Sequence, residues 1–190
     1  MKSVVPRLTC CAIAILIASP LCQGAEGGHS YAGTKKCRPC HLKEYTSWSE
    51  TKMAKSFELL KPGVGASAKT KAKLDPNKDY TGDATCLTCH TTGYGKPGGF
   101  VDMATTPDMA GVGCEVCHGP GGTYLQKEHM SLSNKEYKKA TLVAVGLVGQ
   151  ITKEQCTTCH NPKSPFFKEF KFEERKTKGT HEKFPMKYTH

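Results

Sequence analysis

The stretch Cys37-Arg-Pro-Cys40-His41 sets a pattern that the chain repeats three more times. The later copies are Cys86-Leu-Thr-Cys89-His90, Cys114-Glu-Val-Cys117-His118 and Cys156-Thr-Thr-Cys159-His160. In C-x-x-C-H, two thiols three positions apart can add to the two vinyl groups of one porphyrin, and the adjacent histidine can ligate its iron. The pattern therefore predicts four covalently attached haem c groups, one for each motif.

The motifs assign a role to each of their reactive residues. The predicted attachment residues are Cys37, Cys40, Cys86, Cys89, Cys114, Cys117, Cys156 and Cys159. The predicted proximal iron ligands are His41, His90, His118 and His160. A disulfide framework, zinc sites built from paired C-x-x-C and a thioredoxin-like motif are the competing interpretations. The first two leave the histidine after every cysteine pair unexplained, and the third expects one cysteine pair, not four.

Histidines outside the motifs are candidates for the distal side of each iron. The chain has eight histidines, and the four that remain are His29, His129, His181 and His190. Four haems with two histidine ligands each would use all eight. Ordinary surface histidines are the alternative for each of them. Methionine is the other common axial ligand, and the candidates are Met53, Met103, Met109, Met130 and Met186.

Residues 1–24 have the features of a secretory leader. Lys2 and Arg7 precede the apolar run Cys10 to Ala18, and small residues stand before a cleavage site after Gly24. A lipoprotein anchored at Cys22 is a weaker interpretation. We expect the mature chain, 25–190, to be one domain in the periplasm or at the cell exterior. No later stretch is long and apolar enough to span a membrane.

The basic charge of the chain has a ready explanation in the predicted cofactors. The formal net charge is +10, and removal of Lys2 and Arg7 with the leader leaves 25 basic and 17 acidic side chains. Haem propionates would offset much of this excess. The lysines are spread along the whole chain, whereas a nucleic-acid surface gathers basic and aromatic residues on one face. We therefore expect no nucleic-acid partner.

The rest of the chain predicts a mainly α-helical fold with much irregular loop. Helices are expected over Leu42 to Leu60, Ser67 to Leu74 and Phe166 to Arg175, with a capping box from Thr152 to Gln155 leading into the fourth motif. Glycine-rich loops between them suit either tight turns or close approach to a flat cofactor. The alternating Asp75, Asn77 and Asp79 lack the later residues of a calcium loop and predict a turn.

The sequence resembles the tetrahaem cytochrome c-554 family. The matching stretches run from Lys36 to His41, Trp48 to Leu60, Lys71 to Tyr80, Gly111 to Gly121 and Phe172 to Phe184. The resemblance implies a multihaem cytochrome c wrapped around four stacked haems, which moves electrons between a redox-protein donor and acceptor. Some similar tetrahaem cytochromes of metal-reducing bacteria form extracellular filaments, so a homopolymer is a second expectation.

The resemblance also implies ligand pairings. His129 matches the histidine that serves the first haem, and His181 the one that serves the third. The family offers a histidine to the fourth haem where this chain has Met53, and its second haem can be five-coordinate. We expect His29 and His190 to complete the second and fourth haems, in their own subunit or a neighbouring one. Ligation by Met53 or an open iron are the other outcomes.

Three functions are compatible with these features. The first is an electron shuttle in anaerobic respiratory or extracellular electron transfer, and the second is a subunit of a conducting filament. The third is an enzyme acting on a small nitrogen compound at an open haem. No C-x-x-C-K motif and no set of catalytic side chains stands out, so electron transfer without catalysis is the preferred interpretation.

Overall fold

The computed structural model describes residues 28–185, and within them the chain is helical without extended sheet. The α-helices are α1 (Leu42–Ser49), α2 (Ala66–Lys71), α3 (Ala84–His90), α4 (Cys114–His118), α5 (Lys139–Ala144), α6 (Lys153–Thr157) and α7 (Phe172–Arg175). Short 3₁₀ helices cover Thr34–Lys36, Ser56–Leu60 and Pro107–Met109. The β structure of this part is one antiparallel bridge between Thr91 and Ala110. The expectation of a mainly helical fold with irregular loops is confirmed.

The predicted helix over Leu42 to Leu60 is wrong in its length. It ends at Ser49, and turns separate it from the 3₁₀ helix Ser56–Leu60. The cause is local, because the Thr51 hydroxyl donates to the Trp48 carbonyl at 2.7 Å and accepts from the Ala54 N–H at 3.1 Å. Such bonds from side chain to backbone compete with the helical ladder. Met53 therefore lies in a turn and not on a helix.

Two other predicted helices are also shorter than expected. Helix α2 ends early because Lys73 adopts a left-handed conformation (φ 59°), and Leu74 then donates its N–H to the Lys69 carbonyl at 2.9 Å. That pattern closes a helix in a Schellman turn. The predicted helix from Phe166 exists only as α7, since Phe166 donates its N–H to the Ser164 hydroxyl in a turn.

Turn chemistry and capping follow the sequence prediction. Asp75 accepts from the Asn77 N–H, and Asp79 accepts from the Thr81 N–H, both at 2.8 Å. These are the side-chain-to-backbone turns that aspartate favours. The capping box of α6 is present, with Thr152 and Gln155 each bonded to the other's backbone N–H. The turn and the helix start before the fourth motif are both confirmed.

A small apolar core lies in the first half of the described chain. Its buried residues are Phe57, Leu60, Tyr80, Leu87, Phe100 and Met109. The rings of Phe57 and Phe100 pack at 5.3 Å between centroids. This core holds α3, which carries the second motif, against the 3₁₀ helix Ser56–Leu60.

The second half depends on close backbone approach. Gly119 has φ 85°, and a Cβ there would collide with the Gly146 carbonyl. Only glycine fits such a contact without strain. The loop after the third motif thus lies directly on the segment after α5, backbone to backbone. Within residues 28–185, every helix is too short or too polar to span a bilayer.

Neighbouring leucines provide a test of this core. Leu60 is 4% exposed and Leu59 is 47% exposed in the same 3₁₀ helix. We expect Leu60→Ala to lower the free energy of unfolding of the haem-loaded protein by about 2–5 kcal/mol, because it leaves a cavity. Leu59→Ala should change it by less than about 0.5 kcal/mol. Denaturant unfolding measures both, and equal losses would contradict the assigned core.

Candidate haem-binding site

Each C-x-x-C-H motif forms a single helical turn. The His41 N–H donates to the Cys37 carbonyl at 2.9 Å, and the His160 N–H donates to the Cys156 carbonyl at 3.0 Å. The second and third motifs lie within α3 and α4. Positions i, i+3 and i+4 of a helix share one face. Both thiols and the imidazole of each motif can therefore reach one porphyrin.

Side chains at the helix starts hold these turns in place. The Asp83 carboxylate accepts from the Thr85 N–H at 2.9 Å and from the Cys86 N–H at 3.4 Å at the start of α3. The capping box at Thr152 does the same for α6. A side-chain cap satisfies backbone donors that a short helix would otherwise leave without partners.

The first and third motifs lie against each other. The Cys37 thiol donates to the Cys114 sulfur, and this bond together with burial raises the pKa of Cys37 far above its usual value. The same contact lowers the pKa of Cys114. His41 is also close enough to His118 to contribute to lowering its pKa. The two attachment sites are therefore immediate neighbours.

The fourth motif joins this pair to the second motif. Burial raises the pKa of Cys117 to about 11, and the nearby Cys156 adds to the effect. Burial likewise raises the pKa of Cys89 to about 11, with a further contribution from its neighbour Cys159. The motifs thus form one continuous series in the order first, third, fourth and second.

His181 faces His118, the histidine of the third motif. The ring centroids of His118 and His181 are 6.2 Å apart, with 29° between the ring planes. Two imidazoles that bond one metal from opposite sides, each at about 2 Å, have centroids roughly 6 Å apart. Burial, together with the imidazoles of His181 and His41, lowers the pKa of His118. A lower pKa favours the neutral imidazole that can ligate a metal.

The backbone around His181 fixes its orientation. Its Nδ1 donates to the Glu182 carbonyl at 2.6 Å, which leaves Nε2 free for a metal. The Glu182 N–H in turn donates to the Ser47 hydroxyl at 2.8 Å, which attaches this late segment to α1. A hydrogen bond to the second ring nitrogen is the usual partner of a metal-ligating histidine.

The histidines of the second and fourth motifs are also oriented by neighbours. The Nδ1 of His90 donates to the Ser56 carbonyl at 2.7 Å. The ring of His160 stacks on Phe170 at 4.5 Å between centroids. Burial and the charge of Arg175 lower the pKa of His160. The bond at Nδ1 of His90 leaves its Nε2 available for iron.

A cavity of about 330 Å³ opens beside the first motif. Its lining includes Cys37, Cys40 and His41 on one side, and Leu125, Gln126 and Met130 on the other. His129 lies in the same turn as Gln126, whose carbonyl accepts its N–H at 2.9 Å. His129 also lines a second cavity, of about 200 Å³, beside Leu142. The structure thus brings the turn that contains His129 close to the first motif.

His29 is the third candidate distal histidine within residues 28–185. Its Nδ1 lies 2.9 Å from the Thr123 hydroxyl, and its ring packs where a Cβ on Gly146 would collide. Gly146 borders Gly119, which follows His118. His29 is therefore near the end of the third motif. His190 and Met186, together with the predicted leader 1–24 and its Cys10, Cys11 and Cys22, lie outside the described residues.

The residues present fit haem c at each motif. Four helical turns present paired thiols and a histidine, and oriented imidazoles keep one nitrogen free. The buried hydroxyl of Thr34, beside the first motif, lies close enough to the Cys114 thiol to contribute to lowering its pKa. A c-type haem would supply the apolar bulk that this small core lacks and would occupy the cavity at the first motif.

Comparisons with known proteins agree with this site. A family model described as cytochrome c554 and c-prime matches residues 36–119. Cytochrome c-554 of Nitrosomonas europaea is 38% identical over 180 residues, which cover 82% of this chain and 77% of that protein. The chain belongs to the cytochrome c554 family. The solved structure of the reduced state of cytochrome c554 from Nitrosomonas europaea covers 86% of this chain and 91% of its own, with a TM-score of 0.75 and 35% identity.

Membership of the cytochrome c554 family establishes the general function. The chain is a tetrahaem c-type cytochrome that carries four covalently attached haem c groups and transfers electrons. The family resemblance drawn from the motifs is confirmed, and so is the predicted cofactor. A filament subunit gains no support from either relative.

One residue of this cytochrome c554 site was missed by sequence reasoning. Glu115 occupies a variable position of the third motif and is 1% exposed. Its carboxylate accepts from the N–H groups of Ala32 and Gly33, both at 2.8 Å, and of Gly121 at 2.6 Å. Its acidity inside a motif and the nearby Gly119 and Gly121 were the available signals. These signals do not reveal that Glu115 bonds to Gly33, which lies 82 residues earlier in the chain.

Removing one thiol tests the attachment chemistry. The wild-type intact mass should correspond to four haems. In Cys117→Ser we expect one haem with a free vinyl group, because serine forms no thioether bond, and a less stable chain, because the cofactor forms part of the core. The pyridine haemochrome spectrum reports the free vinyl group. Thr157→Ser, at a variable position of the fourth motif, should leave that spectrum unchanged. An unaltered spectrum in Cys117→Ser would contradict the assignment.

Proposed function

We propose that the mature chain is an exported electron carrier that exchanges single electrons with redox-protein partners and catalyses no reaction itself. The observation that carries this proposal is the continuity of the four attachment motifs. Cys37 lies against Cys114, Cys117 lies near Cys156, and Cys159 lies near Cys89. Electrons pass between centres of one protein only when those centres lie close together, and this arrangement leaves no motif isolated from the others.

Each residue of a motif has a defined task in this proposal. Haem iron, when bound, supplies reversible one-electron exchange. The cysteine pairs attach the porphyrins, and His41, His90, His118 and His160 ligate iron on the proximal side. The Ser56 carbonyl orients His90, and Phe170 orients His160. Fixed ligands limit the rearrangement that accompanies a change of charge.

His181 is the proposed distal ligand of the third haem. The spacing of 6.2 Å between its ring and that of His118 supports this role. So does the hydrogen bond from its Nδ1 to the Glu182 carbonyl, which leaves Nε2 for iron. The family resemblance points to the same pairing.

His129 is the proposed distal ligand of the first haem. It belongs to the turn that lines the cavity beside Cys37, Cys40 and His41. His129 also lines a second cavity, beside Leu142. The family resemblance supports the assignment at the level of sequence position.

His29 and His190 are the proposed ligands of the second and fourth haems. His29 keeps Nε2 free because its Nδ1 bonds to Thr123. Its neighbourhood favours the fourth haem, since the third motif borders the fourth through a bond of 3.3 Å from the Gln155 amide to the Cys117 carbonyl. Met53 then serves in packing, with its carbonyl accepting from the Val112 N–H at 2.9 Å.

Export and partners complete the proposal. Residues 1–24 are proposed to be removed as a leader, so that 25–190 forms one haem-bearing domain in the periplasm or at the cell exterior. The partners are redox proteins rather than nucleic acid, because the basic excess of the mature chain is matched by haem propionates. A homopolymer joined by terminal histidines is the alternative assembly.

Spin states separate the carrier from an enzyme. Catalysis at iron needs a free coordination site, whereas complete histidine ligation leaves none. We expect four low-spin haems in the wild type by electron paramagnetic resonance, and one high-spin haem in each of His129→Gly and His181→Gly. Added imidazole should restore the low-spin signal in both variants. A high-spin haem in the wild type would support the enzyme, and four low-spin haems in both variants would refute the two pairings.

A second substitution tests the amino-terminal ligand. We expect His29→Gly to create one high-spin haem, because no other described histidine can replace it, while Ser30→Gly should not. If His29 ligates a neighbouring subunit, the same variant should also lower the mass of assemblies in analytical ultracentrifugation. A thioether-to-iron absorption band in the wild type that disappears in Met53→Ala would instead show that methionine is the ligand.

A further inference from the structure

The third motif contains a buried charge that haem attachment does not require. Glu115 is the one buried carboxylate within residues 28–185, and no cation pairs with it in that part of the chain. Its neutralisation comes from backbone dipoles alone, through the N–H groups of Ala32, Gly33 and Gly121. Three donors and no acceptor suit an ionised carboxylate.

This charge lies between two attachment sites. Glu115 directly follows Cys114 of the third motif, and its oxygens bond to Ala32 and Gly33, which precede the first motif. The Cys37 thiol contacts Cys114 at the same place. The negative field of Glu115 contributes to raising the pKa of Tyr31 and of Tyr124, after burial in each case. The Glu115 carboxylate therefore affects residues on two sides, Tyr31 before the first motif and Tyr124 after the third.

We propose that Glu115 is a fixed negative charge that lowers the reduction potentials of the first and third haems. Reduction adds one electron to ferric iron and removes one positive charge from the centre. A nearby carboxylate stabilises the more positive ferric state, and burial keeps solvent from screening it. The proposal rests on attachment of these haems at Cys37, Cys40, Cys114 and Cys117.

The expected size follows from Coulomb's law. At an effective dielectric constant of about 20 and a separation of roughly 10 Å, loss of one charge changes the equilibrium constant for reduction about tenfold. For a one-electron couple, tenfold corresponds to ~59 mV. The second haem, whose motif lies farther along the series, should respond least.

The experiment is an electrochemical redox titration of the four-haem protein followed by NMR. Nuclear Overhauser contacts between haem methyl groups and neighbouring side chains assign each haem to its motif. In Glu115→Gln we expect both the first and third haems to be about tenfold easier to reduce. Glu154→Gln is the matched control, because Glu154 lies two residues before Cys156 and is exposed. It should leave all four potentials nearly unchanged.

The charge-keeping variant separates a charge effect from a structural one. Glu115→Asp withdraws the carboxylate by one methylene towards α4 and away from the segment before the first motif. We expect the first haem to become easier to reduce and the third to stay close to wild type. If Glu115→Gln does not accumulate with four haems, the potentials of the first and third haems in Glu115→Asp are sufficient to test the proposal.

Three results would overturn the proposal. The first is that the haem-loaded Glu115→Gln variant keeps the wild-type potentials. The second is that the potentials of all four haems shift equally in this variant. The third is that the first haem keeps its wild-type potential in Glu115→Asp. Intact mass distinguishes these results from failure of haem attachment, which would remove a haem instead of moving its potential.

Discussion

The Glu115 carboxylate joins two distant parts of the chain at the centre of the haem-binding region. It belongs to α4 and accepts three backbone N–H groups, two of them from Ala32 and Gly33. These bonds bring the segment before the first motif onto the third motif, where Cys37 meets Cys114. A buried charge satisfied only by backbone donors is costly to disturb. The relative position of the first and third motifs therefore depends on it.

Such long-range bonds matter because the helices are too short to be stable alone. The longest described helix, α1, has eight residues, whereas isolated helices below about 12 residues are marginal in water. Side-chain caps, glycine contacts and the cofactors supply the missing stabilisation. The same shortness serves function, because a single turn is enough to present two thiols and a histidine.

The haem sites were predictable from sequence because their chemistry fixes residue spacing. Covalent attachment demands C-x-x-C-H, so the four motifs and their proximal histidines can be read directly. The early end of α1 was not predictable from its apolar positions, since it depends on hydrogen bonds of the Thr51 hydroxyl. The role of Glu115 was hidden for a different reason. Its donors lie in a loop whose position only the folded chain defines.

Met53 stands where the family resemblance implies a histidine ligand. The fold uses the backbone of this residue, because its carbonyl accepts from the Val112 N–H just before the third motif. Any side chain is compatible with that bond, so the histidine expected from the family resemblance is not needed for the fold. A ligand supplied by a chain end, as proposed for His29 beside Thr123, would relieve the interior of that task. Because a chain end can reach its own subunit or a neighbour, such an exchange would link the choice of iron ligand to the choice between carrier and assembly.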